Sequence, residues 1–128
     1  MLRSYRLFAT AVILTCVSAT ALADGGGSGP PGDAIDAYVR RADAAFDYPD
    51  SLGDRGALAA RYEAALAMAS GPQKQALAVH YAVADECVRR ARQVEHGGYG
   101  YDEKQELLQP CRLKLAERRA AVVAASIP

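Results

Sequence analysis

Residues 87–111 read CVRRARQVEHGGYGYDEKQELLQPC, and the layout of this stretch decides the fold. A glycine-rich turn, Gly97-Gly98-Tyr99-Gly100-Tyr101, sits in its middle, with Cys87 and Cys111 each 12 residues from Tyr99. Upstream of the turn Leu77, Tyr81, Ala84, Val88 and Ala91 recur at helical spacing, with His80 and Cys87 flanking their face; downstream Leu108, Cys111, Leu115 and Val122 do the same. Two helices joined by a short turn run antiparallel, so residues equidistant from the turn stand at the same height. Cys87 and Cys111 then meet as a disulfide, closing a loop whose chain-entropy contribution is about 3 kcal/mol. Pro110, which lacks an amide hydrogen, is expected to kink the last helix or split it in two.

Towards the N-terminus the helical pattern continues. Ile35, Tyr38, Val39, Ala42 and Phe46 share one face of a helix that Asp33 would cap and Tyr48-Pro49 would end. A second stripe, Leu58, Tyr62, Ala65, Leu66 and Ala69, predicts a helix opening between Ser51 and Asp54, two residues at capping-box spacing. Ser70-Gly71-Pro72 breaks that helix, and Pro72 suits the first turn of the next one. Alanine is abundant and β-branched runs are few, which disfavours strands. The expectation is an all-α domain of three to four helices over residues 33–128, with a disulfide-stapled C-terminal hairpin.

Before this domain, residues 24–32 (DGGGSGPPG) hold nothing that buries apolar area and read as a flexible Gly/Pro linker. Residues 1–23 have the three parts of a secretory signal peptide: Arg3 and Arg6, an apolar run from Leu7 to Val17, and the A-x-A ending Ala21-Leu22-Ala23. A leader retained as a membrane anchor and a lipidated Cys16 are the alternatives to cleavage. After cleavage at Ala23, Cys87 and Cys111 are the two remaining cysteines, which fits a disulfide made in the periplasm or outside the cell. No stable membrane span is expected once the leader is gone.

Without the leader the chain carries 13 basic and 15 acidic side chains, a net charge of −2 that does not call for nucleic acid. The charges are unevenly spread: residues 24–66 hold 8 acidic and 4 basic side chains, residues 67–128 hold 7 and 9. Both arms of the hairpin are basic, with Arg89, Arg90 and Arg92 on one and Arg112, Lys114, Arg118 and Arg119 on the other. A solvated helix surface is the plain reading of these cations; an anion-facing patch for an acidic protein or a cell-envelope polymer is the functional one. Tyr99 and Tyr101 at the tip suit a contact loop, since tyrosine offers a large amphipathic surface with few rotors, although a plain hairpin turn with the rings laid back on the helices is the simpler reading.

Catalytic and metal patterns are missing from the sequence. There is no H-E-x-x-H and no C-x-x-C, and Asp47, Asp50 and Asp54 lack calcium-loop spacing, so no metal or cofactor is expected. His80 and Cys87 share a helix side, but seven residues separate them by about 10 Å along the axis, too far for direct activation of the thiol.

Residues 48–65 (YPDSLGDRGALAARYEAA) and 111–125 (CRLKLAERRAAVVAA) resemble the UrcA family of small exported bacterial proteins. The resemblance implies an alanine-rich helical chain with two cysteines behind a signal peptide, and it implies no activity. The chain departs from that pattern in three ways. No strand-like segment precedes Tyr48, the next helix lacks a cysteine, and residues 66–86 read as an insertion. The function expected is non-enzymatic: a binding, adaptor or inhibitor module of the cell envelope. A small periplasmic hydrolase or redox protein using His80, His96 or the cysteines is the alternative, and a structural or stress envelope protein is a third reading.

Overall fold

The computed structural model describes residues 31–126, which form five helices and no strand. They are α1 (Pro31–Asp47), α2 (Pro49–Leu52), α3 (Arg55–Met68), α4 (Gly71–Glu95) and α5 (Tyr101–Ala125). The domain is all-α, and its four long helices are those the apolar stripes define. The leader, Cys16 and residues 24–30 of the linker lie outside the described residues.

Helix α1 begins at Pro31, two residues inside the stretch read as linker, so Asp33 stands in its first turn rather than at its cap. There its carboxylate still meets the positive end of the helix. Helix α2 is a single turn, too short to show a period. It takes up Ser51, so Asp54 alone caps α3, accepting hydrogen bonds from the Gly56 and Ala57 amides at 2.9 and 3.4 Å. At the start of α4, Gln73 Oε1 accepts from the Ser70 amide at 2.7 Å, and Pro72 lies in the first turn as expected.

Helix α4 packs on α1, α2 and α3 and most extensively on α5. The core draws on all four long helices: Tyr38, Ala42 and Phe46 from α1, Leu58 and Ala65 from α3, Leu77, Ala84 and Val88 from α4, Leu115 and Val122 from α5. Cutting Leu77 to alanine at such a site costs about 2–5 kcal/mol. His80 and Cys87, expected at the edge of the α4 stripe, are both at 0% exposure within this core.

The Cys87–Cys111 disulfide is present, with Cα atoms 5.6 Å apart, and it fixes the register of α4 against α5. Helix α5 is continuous through Pro110. Because Pro110 is exposed, the carbonyl it leaves unpaired one turn earlier can turn to water, and the helix survives without a split.

Candidate functional site

Along the hairpin the basic residues divide between two sides. On the inner side, Arg92 is half-buried and donates to the Pro49 and Gly53 carbonyls at 2.9 and 2.8 Å, capping the C-terminal end of α2. Gly53 is required there, since a methyl group at its Cα would overlap the Pro49 carbonyl and crowd the guanidinium. Arg119 donates to Asp43 at 2.9 Å. Arg112 donates to Gln105 at 2.9 Å, lies 3.8 Å from Asp47, and stands over the Phe46 ring with its guanidinium carbon 5.4 Å from the centroid. These three cations tie α4 and α5 to α1 and α2.

On the outer side, Glu86, Arg89, Arg90 and Gln93 of α4 face Leu107, Pro110, Cys111 and Lys114 of α5 across a cleft of about 360 Å3. The spacing of the α4 residues, three, one and three, places them on one side of the helix, next to the disulfide. Three of the lining residues are cationic and one is anionic. Arg89 reaches Asp85 at 3.7 Å only, because Arg55 already grips that carboxylate at 2.7 and 3.1 Å. Among the described residues, Arg90 and Lys114 make no ion pair. Arg118, half-buried, stands one turn beyond Lys114.

A smaller notch of about 200 Å3 opens at the hairpin tip, lined by Arg90, Gln93, Val94, Tyr99 and Leu107. It shares Arg90, Gln93 and Leu107 with the cationic cleft, so the two form one groove along the seam of the hairpin. Tyr99 is 40% exposed and its ring lies against the Gly97 backbone, where an added Cβ would overlap it. Gly98 makes the turn at φ 79°, a conformation that favours glycine. Tyr101, 75% exposed, lines neither part of the groove.

No family model, curated protein or solved structure matches the chain. The site is therefore read from its own chemistry. Three outward cations on two rigid helices can hold carboxylates or phosphates.

The imidazole and thiol groups stand elsewhere. His80 shares a 2.7 Å hydrogen bond with the Tyr38 hydroxyl through Nδ1, and its Nε2 is buried with no partner. Burial holds its pKa down at about 4, with nearby Asp43 pulling it up and Arg119 pushing it down. The ring is neutral at pH 7 and closed off from solvent. His96 is exposed and meets Asp50 at 2.8 Å, joining the end of α4 to α2. Among the described residues no three His, Cys, Asp or Glu side chains converge as metal ligands, and no helix is long and apolar enough to cross a membrane. A second cleft, between α1 and α3, mixes Asp33 and Asp36 with Arg40, Arg41 and Arg61, and Arg40 is locked to Asp36.

Sequence reasoning names all seven basic residues but not their division. The signal lies in α5 itself: Arg112 and Arg119 are seven residues apart and share a side, whereas Lys114 falls about 200° round the helix from Arg112. What the sequence does not reveal is that Asp43 and Asp47 of α1 face that side.

Proposed function

We propose that this chain is an exported, non-enzymatic binding module that holds an acidic segment of a partner protein against the outer cleft of its C-terminal hairpin. The observation that carries this reading is the division of the basic side chains. Arg92, Arg112 and Arg119 are engaged within the fold, while Arg89, Arg90 and Lys114 surround an open cleft with one carboxylate among them. The disulfide beside the cleft supports both halves of the proposal. A stable disulfide suits an oxidising compartment, and it holds the two cation-bearing helices in a fixed register, lowering the ordering cost of binding. The depth at which His80 and Cys87 lie weighs against the thiol or imidazole chemistry of the alternative reading.

The test uses the disulfide-intact chain from residue 24 onward, titrated with a short poly-aspartate peptide at low and then raised salt. Saturable binding is expected, weakening as salt screens the charges. Arg90→Glu combined with Lys114→Glu is expected to remove it without changing the circular dichroism. Binding that ignores salt, or that survives the double reversal, overturns the reading. A preference for an anionic polysaccharide over the peptide overturns the assignment to a protein partner.

A further inference from the structure

The cleft brings one carboxylate, Glu86, to three cations, and the same hairpin carries carboxylates with nothing to hold. Asp102, Glu103 and Glu106, in the first two turns of α5, are exposed, and among the described residues they make no ion pair. Glu103 and Lys114 are eleven residues apart, about three full turns, so they lie on one strip of α5; Glu106 stands one turn before Pro110 of the cleft wall. In a single molecule Glu103 and Lys114 are held about 16 Å apart along the helix and cannot meet. We infer that the acidic segment held by the cleft is supplied by a second copy of this chain, the two hairpins packing antiparallel with the start of α5 of each on the cationic cleft of the other. This rests on the acidic-segment reading above and names its partner.

The disulfide register sets the geometry. With Cys87 beside Cys111, Arg89 and Arg90 stand level with Gln109 and Leu108. A two-fold axis crossing α5 between Leu107 and Leu108 carries Glu106 to the level of Arg89 and Arg90 of the other copy, and Glu103 to within about 3 Å of the level of Lys114. At the crossing itself the walls are Gln93 and Leu107, which carry no charge. The contact is isologous and therefore made twice, so ion pairs worth little singly on an exposed surface are doubled. A parallel pairing would set like charges against each other. Without the leader the net charge is −2, so the copies repel only weakly at a distance.

The test is sedimentation equilibrium of the disulfide-intact chain from residue 24 onward, at rising concentration and at low and raised salt. At low salt the mass is expected to rise towards that of two chains, and raised salt should return it to one. Poly-aspartate is expected to compete for the cleft and to do the same. Glu103→Lys with Glu106→Lys makes both places cationic, and Arg90→Glu with Lys114→Glu makes both anionic; each double variant is expected to be monomeric alone. An equimolar mixture of the two should pair again, since each copy then meets its opposite twice. That recovery cannot come from a misfolded variant.

A chain that stays monomeric at low salt up to about 1 mM yet binds poly-aspartate overturns this inference and leaves the acidic-segment reading intact. A dimer that ignores salt, that poly-aspartate leaves undisturbed, or that survives either double reversal overturns the placement of the interface. So does a mixture of the two monomeric variants that does not pair. Failure of the unaltered chain both to pair and to bind poly-aspartate overturns both proposals.

Discussion

At His80 a titratable ring sits at 0% exposure, hydrogen-bonded on one nitrogen to Tyr38 and unpartnered on the other. Tyr38 meets the imidazole edge-on, and on Tyr38 in turn lie Tyr62 and Tyr81, stacked with ring centroids 4.1 Å apart. In this setting desolvation, with Arg119 acting in the same direction, outweighs the pull of Asp43, and the folded-state pKa lies at about 4 against an ordinary 6.5. The unfolded chain therefore takes up a proton that the folded chain refuses, and stability is full above pH 6.5 and declines as the pH falls towards 4. With each pH unit worth about 1.4 kcal/mol, the loss from this group reaches about 2 kcal/mol at pH 5 and about 3 at pH 4. Urea denaturation at pH 7.5, 6 and 5 should show that slope, and His80→Gln should flatten it. An imidazole that titrates near 6.5 in the folded protein would remove the explanation. From sequence, the same residue stands at the edge of the α4 stripe, because periodicity ranks positions by angle alone. It is the partner hydroxyl on α1, 42 residues away, that makes the burial of the ring tolerable.

The long helices were legible because each carries an apolar stripe long enough to establish a period, and because Ser70-Gly71-Pro72 and the Gly97–Tyr101 turn punctuate the chain. Helix α2 was not, since four residues cannot show a period. The cap of α3 shifted for the same reason: once Ser51 belongs to α2, Asp54 is left to receive the free amides. Pro110 is the instructive case, because the local rule is sound and its outcome depends on which side of the helix the residue occupies. On the exposed side the carbonyl that loses its hydrogen bond can turn to water, yet the intrinsic penalty of proline in a helix interior, about 3 kcal/mol relative to alanine, remains. Pro110→Ala is therefore expected to stabilise the protein by about 1–3 kcal/mol, read as a higher urea midpoint with no change in the slope of the transition. Destabilisation would mean that the ring packs against the groove more than it strains α5.

Across the whole molecule, the charge excess of the C-terminal half serves two purposes, and the disulfide-linked hairpin separates them by side. Cations turned inward bind carbonyls and carboxylates of α1 and α2, so their loss is felt as stability. Arg92→Ala removes two charged hydrogen bonds to half-buried carbonyls and should cost about 1.5–3 kcal/mol. Arg119→Ala breaks a partly exposed pair with Asp43, screened by solvent, and should cost less than about 1 kcal/mol. Cations turned outward make no contact within the fold beyond the loose, solvent-screened approach of Arg89 to Asp85, so Arg89→Ala, Arg90→Ala and Lys114→Ala should each stay within about 0.5 kcal/mol of the unaltered protein. The two sets should then separate when stability and poly-aspartate affinity are measured side by side at one salt concentration. Inner variants that fold should lose stability and keep the peptide; outer variants should keep stability and lose the peptide. If instead Arg92→Ala weakens the peptide as strongly as Arg90→Ala does while remaining folded, the cleft depends on the anchoring of α4 to α2, and the binding surface extends through the hairpin instead of lying on its outer side.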